Sequence, residues 1–160
     1  MAGFGSLVAA VLAAKGLGMQ AIVNPGPAYP LPPGLLASGA ILTPNADELL
    51  EMTGAPEVEA GVSALIGAGA RAVVVTLGSQ GALLAEGSGR GRLPAQAVEA
   101  VDTTGAGDTF SGVLATWLAI GHDLDEAADA ANLAAGLSVT HKGARDGMPT
   151  RAAIEAAIRV

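Results

Sequence analysis

The sequence contains no cysteine. Disulfides, thiolate nucleophiles and cysteine-ligated metals are excluded together, and a reducing compartment is compatible, with cytoplasm as the expectation. Aromatic residues make up 2% of the 160 positions, so the core has to be assembled from Ala, Val, Leu and Ile. Lys and Arg number eight and are scattered, against fifteen Asp and Glu; the net charge of -7 argues against the clustered positive surface that nucleic-acid binding requires. A polyanionic ligand has to be held locally. No apolar run approaches the ~18 residues needed to span a bilayer. The stretch from Ser6 to Ala14 has no Lys or Arg before it and places Leu7, Val8, Val11 and Leu12 at helical spacing, which favours a helix over a signal peptide. The Walker lysine motif is missing, which excludes a P-loop NTPase. His122 and His141 stand 19 residues apart, are read as lacking a carboxylate at metal-ligand spacing, and are expected at the surface.

What is present is 51% hydrophobic, enough for one domain with a real core. Residues 6–15 read as a helix closed by Gly16 and Gly18, and 21–23 as a short strand ending at Asn24-Pro25. Pro25, Pro27, Pro30, Pro32 and Pro33 predict irregular chain until Leu35. A strand at 40–42 and a helix capped by Asn45 and running through Met52 follow. Residues 61–68 predict a helix, Arg71 to Thr76 an apolar strand, and 81–85 another strand after a Gly-Ser-Gln turn. A flexible loop is expected over 87–92, a last strand over 97–101, and helices over 105–120, 123–139 and 149–159. Strand-helix alternation of this kind predicts a single α/β domain over 1–160: a three-layer sandwich with a mostly parallel sheet and helices on both faces.

One segment stands apart. Asp102-Thr-Thr-Gly-Ala-Gly-Asp108 lies between an expected strand and a long helix. Its glycines permit unusual backbone angles and close approach, and free N–H groups at a helix N-terminus bind anions. A carboxylate such as Asp108 in a first helical turn is explained by the helix dipole alone. That does not account for the Gly-Ala-Gly platform before it, or for a second Asp six residues upstream. Asn45 and Glu48 likewise have a plain reading as a capping box. The glycine patterns at 16–21 and 67–72 precede strands rather than follow them, the wrong context for a dinucleotide fingerprint.

Val101 to Phe110 resembles the C-terminal motif of the ribokinase (PfkB) family. Asn24-Pro-Gly-Pro-Ala28, Thr43-Pro-Asn-Ala-Asp-Glu48 and Thr76-Leu-Gly-Ser-Gln-Gly81 resemble three further family segments, in the family's order. The resemblance implies ATP-dependent phosphorylation of a sugar hydroxyl, D-ribose above all, with fructose or nucleoside kinases as the related alternatives. It implies Asp108 as catalytic base and the Gly105, Ala106, Gly107 and Asp108 amides as the anion hole for the ATP phosphates. Nucleotide contacts are implied at Asn45, Thr76, Gly78, Ser79, Gly81 and Asn132, with Asn132 by the adenine. Glu48 would hold Mg2+ through water. Asp102, Thr104 and carbonyls near Gly143 would ring a monovalent cation such as K+, and Gly147 stands where ribokinases often carry a serine that serves that site. The segments from Ala131 through Ala144 and from Met148 to Arg151 resemble ribokinases in particular.

The resemblance covers the second half of such a protein. The leading strands, the small β lid and the Gly-Gly-Asn sugar-binding residues have no counterpart before residue 24, and Met1 falls where a full-length relative is in mid-fold. Self-association or a complementing N-terminal half is therefore expected, with ATP and a small sugar as ligands and neither nucleic acid nor membrane as partner. The alternative from a different class is a nucleotide-binding or structural remnant without turnover.

Overall fold

The computed structural model describes residues 3–27 and 29–158, without the side chains of Gly3 and Phe4. Ala28 of the proline-rich segment and Arg159, the expected end of the last helix, lie outside the described residues. The chain forms two compact units, Met1–Thr76 with Leu83–Gly91, and Leu77–Ala82 with Arg92–Val160.

The first unit contains α1 (Gly3–Gly16), β1 (Ile22–Val23), α2 (Pro33–Leu36), β2 (Ile41–Leu42), α3 (Ala46–Thr53), α4 (Val58–Gly67) and β3 (Ala72–Thr76), followed by most of β4 (Ala82–Glu86) and β5 (Gly89–Leu93), of which Ala82, Arg92 and Leu93 belong to the second unit. The strands form one sheet in the order β1-β2-β3-β4-β5, in which β1, β2 and β3 run parallel. The expected α/β class with a mostly parallel sheet is what the chain adopts. Central β3 is buried from Ala72 through Val75, as its unbroken apolar run requires of a strand covered on both faces. Leu49 of α3 and Val62 of α4 are fully buried in the same unit. α3 starts where its capping box says it should, and Gly54 ends it in the left-handed conformation with its N–H on the Leu50 carbonyl.

The second unit is helical: α5 (Ala106–Ala119), α6 (Leu124–Ser138) and α7 (Arg151–Ile158), with a 3-10 turn at Gly78–Gln80. α5 buries Thr109, Phe110, Leu114 and Trp117 along one face. α6 lays Ala127, Ala128, Ala131 and Ala134 along its buried side, and these small side chains let α5 approach closely. Asp123 caps α6 by accepting the Glu126 N–H at 2.9 Å. The Thr150 hydroxyl accepts from Ala153 at the start of α7, which carries buried Ile154. Among the described residues no helix is long and apolar enough to cross a membrane.

Four local expectations need correction. The expected loop over 87–92 contains strand β5, because the two-residue link Gly87-Ser88 returns the chain beside β4. Residues 97–101 form no strand: Val98 and Val101 are 38% and 58% exposed, so the segment buries no face against the sheet. Helix α2 begins at Pro33, inside the stretch expected to be irregular, since a first helical position needs no N–H. His122 does have a carboxylate within reach: its Nδ1 lies 2.9 Å from Glu126 Oε2 while its ring stacks on Trp117. His122 and His141 are both exposed, and Thr140 Oγ1 lies 2.9 Å from His141 Nδ1.

Candidate active site

In the first unit, two of the sequence motifs meet at the carboxyl ends of β1 and β2. Asn45 Oδ1 accepts the Glu48 N–H at 2.8 Å, and Glu48 Oε2 accepts the Asn45 N–H at 2.9 Å. The capping box therefore fixes one carboxylate oxygen and leaves Oε1 free of an intrachain donor among the described residues. That oxygen faces the Asn24-Pro25-Gly26 loop, where a methyl added to Gly26 would lie 2.7 Å from it. Asn24 Oδ1 accepts the Gly26 N–H at 3.2 Å and so shapes the loop. Thr76 joins the same end of the sheet: it bridges to Asn45, and its N–H donates to the Pro44 carbonyl at 3.0 Å. The sequence resemblance marked Asn24-Pro-Gly-Pro as a strand end. It gave no sign that Gly26 would be the residue lying against Glu48, because that contact depends on β1 and β2 being neighbours.

In the second unit, the segment before α5 is anchored at several points. Val101 and Asp102 both donate their N–H groups to the Val139 carbonyl at the end of α6, at 2.7 and 3.1 Å. Asp102 Oδ1 accepts the Thr104 N–H and Oδ2 the Gly143 N–H, each at 2.9 Å. These donors, Gly143 first and then the Thr104 hydroxyl and N–H, hold the Asp102 carboxyl down at about 2 against an ordinary 3.8. Gly105 caps α5 with φ +79°, and a Cβ there would come within 2.7 Å of Ala144 Cβ, so conformation and space both require glycine.

In the first turn of α5, Ala106 donates to the Thr103 carbonyl and Thr109 to that of Gly105. Between them, the N–H groups of Gly107 and Asp108 have no acceptor among the described residues, and the cap supplies no side-chain bond. Asp108 is exposed, whereas the next side chain, Thr109, is buried with its Oγ1 lacking a partner among the described residues. Two open amides, a glycine cap and an adjacent carboxylate suit an anion at the helix end and a proton acceptor beside it.

The turn at Gly78–Gln80 is closed on itself. Leu77 donates to the Gly81 carbonyl at 2.7 Å and Gly81 to that of Gly78 at 3.0 Å, leaving Gly78 and Ser79 exposed. Asn132, in α6, uses its side-chain amide to hold the Pro94 carbonyl at 2.8 Å. Asp102, Thr104 and Gly143 are brought together as expected, although the Gly143 carbonyl accepts the Gly147 N–H at 3.1 Å. Gly147 has a packing reason of its own: a Cβ there would fall 2.5 Å from the Ser138 carbonyl oxygen, so a serine could not be accommodated without a backbone shift.

The depressed Asp102 pKa predicts an acid-side effect. Its folded value lies below its unfolded one, so its contribution to stability is complete above about 4 and is lost as pH falls toward about 2. Urea midpoints measured across that window should fall for the native chain, and Asp102→Asn should remove part of the slope. An unchanged slope would show that the Thr104 and Gly143 bonds do not persist in solution.

Glycine-capped amides and an exposed carboxylate at a helix start suit a phosphate-handling site in an α/β protein. The chain belongs to the pfkB family of carbohydrate kinases, whose pattern matches residues 5–151. Over 134 residues it is 41% identical to ribokinase of Bacillus subtilis (strain 168), a match covering 84% of this chain and 44% of that protein. A structure of Arabidopsis thaliana ribokinase complexed with ribose and ATP superposes with a TM-score of 0.88 at 34% identity, over 96% of this chain and 52% of the other. A double mutant of fructokinase from Vibrio cholerae O395, in fructose-, ADP- and potassium-bound form, gives a TM-score of 0.82 at 32% identity, over 95% and 54%. This chain thus spans about half the length of the relatives it matches.

Proposed function

We propose that this chain carries the ATP-phosphate site and general base of a sugar kinase whose acceptor is D-ribose. The observation that carries the reading is the start of α5, where Gly107 and Asp108 offer unpartnered N–H groups beside the exposed Asp108 carboxylate. Asp108 takes the proton from the attacking sugar hydroxyl, which raises the nucleophilicity of its oxygen as the bond to phosphorus forms. The amides from Gly105 to Asp108 stabilise negative charge on the transferring phosphoryl group. Asn45, Thr76, Gly78, Ser79, Gly81 and Asn132 supply the remaining nucleotide contacts, those at the 78–81 turn through exposed backbone. Glu48 presents Oε1 to water bound to Mg2+, an ion that neutralises phosphate charge in reactions of this type. Asp102, Thr104 and Gly143 hold a monovalent cation, with the Asp102 carboxylate already ionised and oriented. The whole 1–160 segment acts as one ATP-binding domain, and its place of action is the cytoplasm.

A second reading is favoured by the half-length match: the chain binds nucleotide but does not turn over. Calorimetric titration with ATP, paired with an ADP-release assay using D-ribose, D-fructose and 2-deoxy-D-ribose in turn, separates the two. The kinase reading expects ADP release that depends on sugar, and greatest with ribose. ATP binding without sugar-dependent release would establish the second reading, and failure to bind ATP would remove both.

A further inference from the structure

With a net charge of -7, the chain has eight Lys and Arg from which to hold a triphosphate. Most are engaged elsewhere. Arg71 bonds Glu86 and Gln20, and Arg151 pairs with Glu155 along α7. Arg90 donates to the Gly87 and Gly89 carbonyls, Lys15 reaches the Ala37 carbonyl at 3.4 Å, and Arg92 has a partner of its own. Among the described residues, Lys142 and Arg145 are the cations whose side chains make neither an ion pair nor a hydrogen bond.

Both are exposed, and both lie in the loop between α6 and α7. The two residues between them fix that loop against the start of α5. Gly143 donates its N–H to Asp102 Oδ2 at 2.9 Å, and Ala144 lies so close to Gly105 that a carbon added there would come within 2.7 Å of its Cβ. Gly147 and Met148 close the loop by donating to the Gly143 and Arg145 carbonyls, at 3.1 and 3.2 Å. The unpaired cations therefore flank the very residues that touch the glycine cap of α5.

An exposed Lys or Arg is ordinarily a solvated surface charge with no task. The electrostatic setting here argues for more. Asp102 and Asp108 put two carboxylates at the start of α5, and Asp146 adds a third in the same loop. Together they repel a polyanion, and the open Gly107 and Asp108 N–H groups set only a partial charge against them. We propose that Lys142 and Arg145 are binding residues for the phosphate chain of ATP, offsetting that repulsion and holding the nucleotide at the start of α5; this rests on the reading of that helix start as the phosphate site. Their contribution is one of charge, so salt screens it and exchange of one cation for another preserves it.

The test titrates ATP by calorimetry into the native chain, Lys142→Gln, Arg145→Gln, the double Gln variant, and a double variant carrying Lys142→Arg with Arg145→Lys. In about 0.01 M salt each single Gln change should weaken ATP binding about threefold and the pair about tenfold, the size expected of unit charges acting through partly solvated space. In about 1 M salt, where the Debye length falls to about 3 Å, the deficit should shrink to about twofold or less. The variant that exchanges the two cations should bind ATP as the native chain does, and urea midpoints should be the same for all. Unchanged affinity in the double Gln variant would overturn the proposal and leave the ATP site standing. A deficit that persists in high salt, or that comes with a lowered urea midpoint, would mark a structural role and overturn it as well. A native chain that does not bind ATP would remove the phosphate site and this proposal together.

Discussion

Replacing Asp108 with asparagine is expected to lower sugar phosphorylation by about 10²–10⁴-fold, the usual contribution of a positioned base. The measurement is ADP release with saturating ribose, in whichever assembly of this chain turns over, set beside ATP affinity from calorimetry. Affinity should change by less than about threefold, under about 0.7 kcal/mol, because asparagine keeps the backbone N–H groups of the first turn. Stability should change little as well, since a carboxylate in an exposed first turn is worth about 0.3–1 kcal/mol against the helix dipole. A loss in turnover with affinity intact points to proton abstraction, whereas a matched fall in both would make Asp108 part of the binding surface. Undiminished turnover would refute it as the base.

Gly81→Ala is expected to be the most destabilising small substitution in the 78–81 turn. Gly81 adopts φ +87° and ψ -127°, a region close to glycine-only. A Cβ built there would lie 1.9 Å from the Leu93 carbonyl oxygen and 2.6 Å from the Ala95 nitrogen, both backbone atoms that no rotamer change can move. The cost should reach about 3 kcal/mol or more, from strain and from displacement of the chain at 93–95 together. Gly121→Ala provides the comparison within the same unit: φ there is +102°, with nothing within 4 Å of the added carbon. That change should cost about 1–2 kcal/mol, the price of the left-handed backbone alone. Chemical denaturation of both variants decides the matter, and equal costs would mean that the approach of Leu93 is not what requires a glycine.

The parts of the site legible in the sequence are those written within a few neighbouring residues. Asn45 and Glu48 sit one helical turn apart, so a capping box could be read from spacing, and the structure forms both of its bonds. The glycine platform before Asp108 could be read the same way, because a helix end needs only the residues that flank it. The sequence also carried a false strand over 97–101 and hid a true one at 89–93. β-branched residues such as Val98 and Val101 make a strand only where a neighbour pairs with them, and Gly-Arg-Gly-Arg becomes a strand only because β4 lies beside it.

Sequence alone thus determined the α/β class and the Asn45 cap of α3, which depend on hydrophobic period and local backbone preference, while the four ordered motifs and the candidate base Asp108 were read from resemblance to a family. Tertiary structure decided what those motifs touch. Asp102 reaches Gly143 across 41 positions, Gly26 comes to rest against Glu48, and Gly147 is held free of a side chain by the Ser138 carbonyl. The physical reason is common to all of these. A contact between distant segments is fixed by strand order and helix packing, and neither is written in the residues that make the contact.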